Sequence, residues 1–572
     1  MARKRRAQAK VSANPGRTGG ASAHVPRWRE WSALGVLLAV EAALAIIGAR
    51  ATSVTFDESF HVPAGVAYVA AGDAGVSAVN PPLGKALFGL AALAAGARTP
   101  DAAVLATHDP RLVNEAFMRA NAARYRRIYL AARLVNVLLA LVLGFLIWGA
   151  ARARFGARGG LLAAVLWALA PEALAHAGVA TLDMATSLLW LSGTLAASRV
   201  VRTGSWRDTA VFAAVAGAFA LTRFSAVLLL PLLVTLWVVE RVRGRAAPLR
   251  SAGPVFALAP IAMIAALWLG YGANRGPRPL HEWTFASTRF RSLQRAAPSL
   301  RLPLPNDVVT GLDRQSADAE PGHLTTYVLG RATTASVWWY FPFAIAIKWP
   351  LGLLSALVLV GGRVIVRKRI ESAELILSAL VFLIPAMTFG NLDAGVRYVL
   401  PLLPLACIGA GSLMIMGPRA RVWPALGLAS ALTVALETWS AAPWWLSHFN
   451  PVAGPPERRE RWLNDSNVDW GQGLAALATE MKSRGIARVH LTYLGTADPH
   501  LYGIDFEPYW TGVPGPESDW LAVSSYFYVG LPQTLRLKDG PSPWIALLDF
   551  HAFPPERAAS RPGDCMWLFK IR

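Results

Sequence analysis

The sequence predicts a polytopic α-helical membrane protein with about eleven spans, followed by a small α/β domain. Three observations point there. Hydrophobic residues make up 54% of the 572 positions and charged residues only 16%, against roughly 25% charged in soluble domains. Mean hydropathy is +0.38, and long apolar runs recur along the chain. Basic clusters fall on alternate connections between those runs, as the positive-inside rule requires. A disordered chain and a collagen-like chain are excluded, and an ordinary soluble enzyme is disfavoured. The net charge of +21, from 56 Lys and Arg against 35 Asp and Glu, is loop charge. No basic stripe with interleaved aromatics is present to stack bases, so no nucleic-acid partner is expected. The abundance of Arg and Ala reads as the coding bias of a GC-rich, bacterial source.

Residues 1–30 form a basic tail with Arg3, Lys4, Arg5, Arg6 and Lys10. The first apolar run lacks a cleavage site, so it reads as an uncleaved span. Spans begin near Trp31, Arg126, Gly159, Leu182, Thr209, Phe224, Gly253, Ala346, Glu374, Arg397 and Val422, each about 13 to 22 residues. With the tail in the cytoplasm, it shares one side with Arg152/Arg154/Arg158, Arg199/Arg202/Arg207, Arg241/Arg243/Arg245/Arg250, Arg363/Arg367/Lys368/Arg369 and Arg419/Arg421. Thr209 to Glu240 must then cross twice or not at all; if it crosses twice, it turns at Thr222-Arg223-Phe224 near the external surface. Leu83 to Ala95 is too short to span and reads as an interfacial or re-entrant helix. The membrane domain is 31–442, with external loops 51–125 and 272–336, and residues 443–572 form an external domain. In that domain a helical pattern over Gly473 to Arg484 precedes alternating stretches at Val489–Leu494, Trp520–Tyr528, Trp544–Leu548 and Met566–Ile571. The absence of an internal repeat weighs against many secondary transporters. Cys407 and Cys565 make no disulfide framework and no zinc spacing.

The chemistry is sought just after the first span, in Thr55-Phe56-Asp57-Glu58-Ser59-Phe60-His61, with Asn80-Pro81-Pro82-Leu83-Gly84-Lys85 in the same loop. By position alone this is a solvated loop as readily as a site. A carboxylate and a cation at one lipid surface suit transfer from a lipid phosphate: the base takes a hydroxyl proton and the cation holds the phosphate.

These residues resemble the polyprenyl-phosphate-sugar-dependent glycosyltransferases of the GT-C fold, in particular the bacterial protein O-mannosyltransferase-like group. Tyr129-Leu130-Ala131-Ala132-Arg133-Leu134 is similar to a second-helix arginine motif, and Thr181-Leu182-Asp183-Met184 to an acidic motif at the outer end of the fourth helix. Leu221-Thr222-Arg223-Phe224-Ser225 resembles a motif that usually carries Lys at the position of Arg223. Trp338-Trp339-Tyr340-Phe341-Pro342 with Lys348-Trp349-Pro350 resembles an aromatic–Lys–Pro segment in which Trp349 replaces the commoner Thr. Gly395-Val396-Arg397-Tyr398-Val399-Leu400-Pro401 resembles a Gly-x-Arg-Tyr-x-Leu-Pro element. Asn464-Asp465-Ser466-Asn467-Val468-Asp469-Trp470-Gly471-Gln472, followed by Tyr502-Gly503-Ile504, resembles a signature of one bacterial subgroup.

The resemblance implies an inverting transfer at the outer leaflet of the bacterial cytoplasmic membrane. A sugar, taken as mannose, moves from a polyprenyl phosphate to a hydroxyl, taken as Ser or Thr of an exported protein; other glycan or lipid acceptors stay open. Asp57 is the expected base and Glu58 its catalytic neighbour. Arg223, Arg397, Lys85 and Lys348 are the expected phosphate ligands, with His61, Arg133, Asp183, Asn391 and Tyr398 in support. No essential metal cofactor is expected; a divalent ion remains an alternative.

Plainer roles stand beside these. Lys348 can snorkel at a helix end, Lys85 can meet headgroups, and Arg133 and Asp183 can be members of structural ion pairs. Glu172 and His176 are a sparse metal candidate. Residues 338–343 form either an interfacial belt or a lipid groove. Asp465 to Gln472 is expected to cap the helix that follows rather than join the chemistry. The competing functions are a transporter or flippase of lipid-linked sugar, a non-catalytic envelope scaffold, and a nucleotide-sugar transferase, the last disfavoured because no cytoplasmic loop is long enough to hold a nucleotide.

Overall fold

The computed structural model describes residues 26–272, 276–320, 325–367, 372–388, 393–415, 422–509, 518–530, 550 and 553–571. Asn391, the stretch Trp544–Leu548, most of the basic tail, Lys368, Arg369, Arg419 and Arg421 lie outside the described residues.

Apolar helices dominate. They include Arg27–Ala51, Tyr125–Ala168, Asp183–Thr203, Trp206–Ala220, Leu229–Val242, Leu249–Tyr271, Leu351–Arg367, Ala373–Thr388, Leu402–Ala410 and Val422–Ala441. By length and apolarity alone, four helical stretches among the described residues qualify as membrane spans. A fifth is added if Tyr340–Lys348 and Leu351–Ile365, bent by 114°, count as one.

The expectation of about eleven spans meets helices that are shorter, more polar or joined, for identifiable reasons. The segments expected near Arg126 and Gly159 are joined in Tyr125–Ala168, where Gly156 turns the chain at φ 77, a conformation that only glycine adopts freely. The 114° bend falls at Trp349-Pro350: proline excludes the residue before it from the helical region, and Trp349 is extended, with ψ 145. The Thr209–Glu240 stretch divides into Trp206–Ala220 and Leu229–Val242, with Arg223 extended between them at φ -155.

Two short helices precede the site. Glu58–Ala71 begins directly after Asp57, and Pro82–Ala94 packs across it. The crossing is close: a Cβ on Gly65 would stand 1.9 Å from the Lys85 carbonyl oxygen. Only glycine permits that approach.

Past residue 443 the chain builds a four-stranded sheet in the order β4-β3-β5-β6, from β3 (Val489–Thr492), β4 (Phe506–Pro508), β5 (Trp520–Ser524) and β6 (Met566–Lys570). A separate small hairpin pairs β1 (Thr326–Val328) with β2 (Arg331–Thr333). In the larger sheet β3 lies parallel to β4 and β5, and β6 closes antiparallel on β5. Strand β4, ending in Pro508, lacks alternation and was not visible in the pattern; an edge position tolerates its proline. The stretch expected to run from Trp520 to Tyr528 leaves the sheet after Ser524. Helix Leu474–Arg484 and this sheet share one apolar core with Val54, Val62, Phe88 and Tyr129. The sheet region is therefore packed onto the segment that carries Asp57.

Candidate functional site

Residues 53–56 run between the first helix and Glu58–Ala71. They are stitched to the C-terminal region: the Ser53 amide donates to the Gln472 carbonyl (3.0 Å), Val54 to the Tyr502 hydroxyl (2.9 Å), and Phe56 to the Trp470 carbonyl (2.8 Å). These bonds fix where the next two residues point.

Glu58 points inward and is fully buried. Its Oε1 accepts from Arg133 Nε and the Ala180 amide, both at 2.7 Å. Its Oε2 accepts from Arg133 Nη2 (2.7 Å), the Thr55 amide (2.9 Å) and the Thr55 hydroxyl (3.0 Å). Arg133 spends its other donors on the carbonyls of Ala49, Thr52 and Ser53. This corrects the expected catalytic role of Glu58: five donors saturate both oxygens, and no acceptor molecule can reach them.

Asp57 points the other way. Its side chain is 26% exposed, and Oδ2 accepts from Arg397 Nη1 at 2.6 Å. Arg397 also lies 3.8 Å from Asp183 Oδ2. Asp183 Oδ1 in turn accepts from Arg223 Nη1 at 2.7 Å, with Arg223 19% exposed. Two carboxylates and two guanidiniums thus alternate in the order Asp57, Arg397, Asp183, Arg223. The Tyr398 ring faces both guanidiniums, 4.8 Å from that of Arg397 and 5.4 Å from that of Arg223. Such a lattice is partly paid for in charge before any ligand arrives. An anion placed at its open edge meets fork-shaped donors suited to bidentate phosphate contact.

The expected cations divide. Arg397 and Arg223 stand in the cluster. Lys348 is buried and donates to the carbonyls of Leu446 (2.9 Å) and Asn467 (2.7 Å), with Glu172 at 3.4 Å, so it is committed to structure rather than to an incoming phosphate. Lys85 is buried and holds the carbonyls of Ser77 (2.5 Å) and Asn80 (2.6 Å), pinning the turn before its own helix. His61 is buried one turn after Asp57; burial pushes its pKa down to about 4 against the opposing pull of Asp57, so it is neutral near pH 7. Its Nδ1 has no hydrogen-bond partner among the described residues. Glu172 and His176 are 3.8 Å apart, and no group of three metal-ligating side chains forms among the described residues.

The largest departure concerns Asp465 to Gln472. Helix Leu474–Arg484 starts after Gly473 with no cap from its own flanking side chain; its first amide instead bonds the distant Ser53 hydroxyl at 3.0 Å. The expected capping role is therefore corrected. Ser466 Oγ accepts from Arg397 Nε at 3.2 Å, and the Trp470 ring lies 4.1 Å from the guanidinium. Asn467 Oδ1 accepts the Val396 amide at 2.9 Å. Burial raises the carboxyls of Asp465 to about 6 and Asp469 to about 7. The signal was available as a dense polar and aromatic run that no local helix required.

Residues 127–270, about a quarter of the chain, match the family described as dolichyl-phosphate-mannose-protein mannosyltransferase. No curated protein sequence matches the chain. Among solved structures it is similar to ArnT from Cupriavidus metallidurans bound to undecaprenyl phosphate, at 12% identity and a TM-score of 0.47, covering 94% of this chain and 97% of that one. The Archaeoglobus fulgidus oligosaccharyltransferase is similar at 11% identity and a TM-score of 0.49, over 91% and 72% of the two chains. The S. cerevisiae Pmt1-Pmt2 complex bound to the sugar donor is similar at 15% identity and a TM-score of 0.31, over 52% and 38%.

Proposed function

We propose that the chain is an inverting glycosyltransferase that moves mannose from a polyprenyl phosphate to a Ser or Thr hydroxyl of an exported protein. The observation that carries the reading is the partly open Asp57 carboxylate, 2.6 Å from Arg397, beside a second arginine whose pairing partner is also an aspartate. Asp57 takes the proton of the acceptor hydroxyl as its oxygen attacks the anomeric carbon. The bond from that carbon to the phosphate oxygen breaks through an oxocarbenium-like transition state, as in other glycosyl transfers. Arg397 and Arg223 receive the charge that develops on the leaving lipid phosphate. Because two guanidiniums supply that charge stabilisation, no essential metal is proposed.

In this reading the N-terminal tail is cytoplasmic, the membrane domain is 31–442 with about eleven crossings, and residues 443–572 lie outside a bacterial cytoplasmic membrane. Support comes from the alternation of basic clusters. The test is a transfer assay with purified full-length protein in liposomes, given polyprenyl-phosphate-linked tritiated mannose and an exported-protein fraction. Label is expected in protein. Label that stays on the lipid, with other acceptors ignored as well, contradicts the proposal. Chelation by EDTA is expected to leave transfer unchanged; loss restored by a divalent ion contradicts the metal-free reading.

A further inference from the structure

The run Asn464–Gln472 belongs to the C-terminal region, some 70 residues in sequence from Arg397, yet it encloses that arginine. We propose that Trp470 and Ser466 are positioning residues for Arg397, so that the C-terminal region is a working part of the donor-phosphate site. This rests on the function proposed above.

The geometry is directional. Ser466 Oγ donates its own proton to the Ala394 carbonyl at 2.6 Å, which leaves its lone pairs to accept from Arg397 Nε. The serine can approach because residue 395 is glycine: a Cβ there would stand 2.1 Å from Ser466 Oγ. Trp470 provides an aromatic face at 4.1 Å and Tyr398 another at 4.8 Å. Aromatic faces attract a guanidinium without using its in-plane N–H donors. With Nε on Ser466 and Nη1 on Asp57, the Nη2 edge is the least committed; its one hydrogen bond among the described residues, to the Tyr398 hydroxyl, is long at 3.4 Å.

Trp470 is itself fixed. It is buried, its amide donates to Gln472 Oε1 at 2.7 Å, and its carbonyl accepts the amide of Phe56, the residue before Asp57. One residue therefore sets the position of both members of the Asp57–Arg397 pair: its backbone holds the approach to the base and its ring holds the cation.

The experiment uses the full chain with Trp470→Ala, Trp470→Phe and Ser466→Ala. Trp470→Ala is expected to lower donor kcat/KM by about tenfold or more, with acceptor KM little changed, and Trp470→Phe to recover most of the loss. In an Arg397→Ala background, added guanidinium is expected to restore part of the transfer. That rescue should vanish in Arg397→Ala with Trp470→Ala and persist with Trp470→Phe. If Trp470→Ala does not fold, Trp470→Phe and Ser466→Ala decide.

Polyprenyl phosphate alone, read by thermal shift, separates this inference from the reaction assigned above. It is expected to stabilise the wild type more than Trp470→Ala or Ser466→Ala, whatever sugar or acceptor proves correct. Equal stabilisation of all folded variants, or guanidinium rescue indifferent to residue 470, overturns the positioning role. A wild type that binds polyprenyl phosphate but transfers no mannose overturns the proposed reaction and leaves the positioning role standing.

Discussion

Asp57 and Glu58 are adjacent in the chain, and each faces an arginine at 2.6 or 2.7 Å. The Glu58–Arg133 pair is sealed, with side chains 0% and 3% exposed: both Glu58 oxygens accept from Arg133, Thr55 or Ala180, and the remaining Arg133 donors go to the carbonyls of Ala49, Thr52 and Ser53. The Asp57–Arg397 pair is 26% and 9% exposed, and its arginine is bracketed by rings that leave donors free. Two chemically similar pairs one residue apart thus do different work. The first locks the backbone so that the second can present a carboxylate to a ligand. Helix Glu58–Ala71 begins between them, which sends the two side chains in different directions.

The comparison can be broken at either pair. Asp57→Asn carries the largest expected effect on turnover, a loss of about 10²- to 10⁴-fold, the range for a positioned general base, with the folded protein retained. Glu58→Gln should act on stability: it leaves Arg133 buried without its counter-charge, at a cost of about 3–5 kcal/mol, seen as a lower melting temperature in detergent and less protein in the membrane. Arg223→Lys sharpens the comparison within the open cluster. It keeps the charge on Asp183 but loses the fork, so transfer should fall by less than about tenfold; the resembling motif, which usually carries Lys there, points the same way.

A further effect is a pH slope. Burial raises Asp469 to about 7 in the folded chain from an ordinary 3.8. The folded state then holds its proton more tightly than the unfolded state. The associated stability is fully present below about pH 4 and is lost as pH rises through about 7. Asp469→Asn should flatten the dependence of melting temperature on pH across that window; an unchanged slope contradicts the assignment.

Much of this was legible in the sequence because it depended on local pattern. The apolar runs and the break near Thr222 are written in composition, and Asp57, Arg223 and Arg397 stood out as charges beside apolar segments. The different fates of Glu58 and Lys348 were not legible, since both depend on carbonyls and amides brought from distant segments: Ala180 for one, Leu446 and Asn467 for the other. Trp470 was passed over because its segment precedes a helix, and capping was the nearest local explanation. The helix took its capping hydroxyl from Ser53, a pairing that no window on the sequence contains. Helices broken at Gly156 and Pro350 also made the number of spans harder to read than their positions.

The most direct measurement of the central claim is a side-by-side assay of Asp57→Asn and Glu58→Gln, each scored for mannose transfer per folded molecule and for melting temperature. The account predicts that Asp57→Asn melts near the wild type and transfers almost nothing. Glu58→Gln melts well below it, and the fraction that stays folded transfers at a near wild-type rate. Full transfer by folded Asp57→Asn, or a folded and stable Glu58→Gln without activity, would contradict the division of labour between the two pairs.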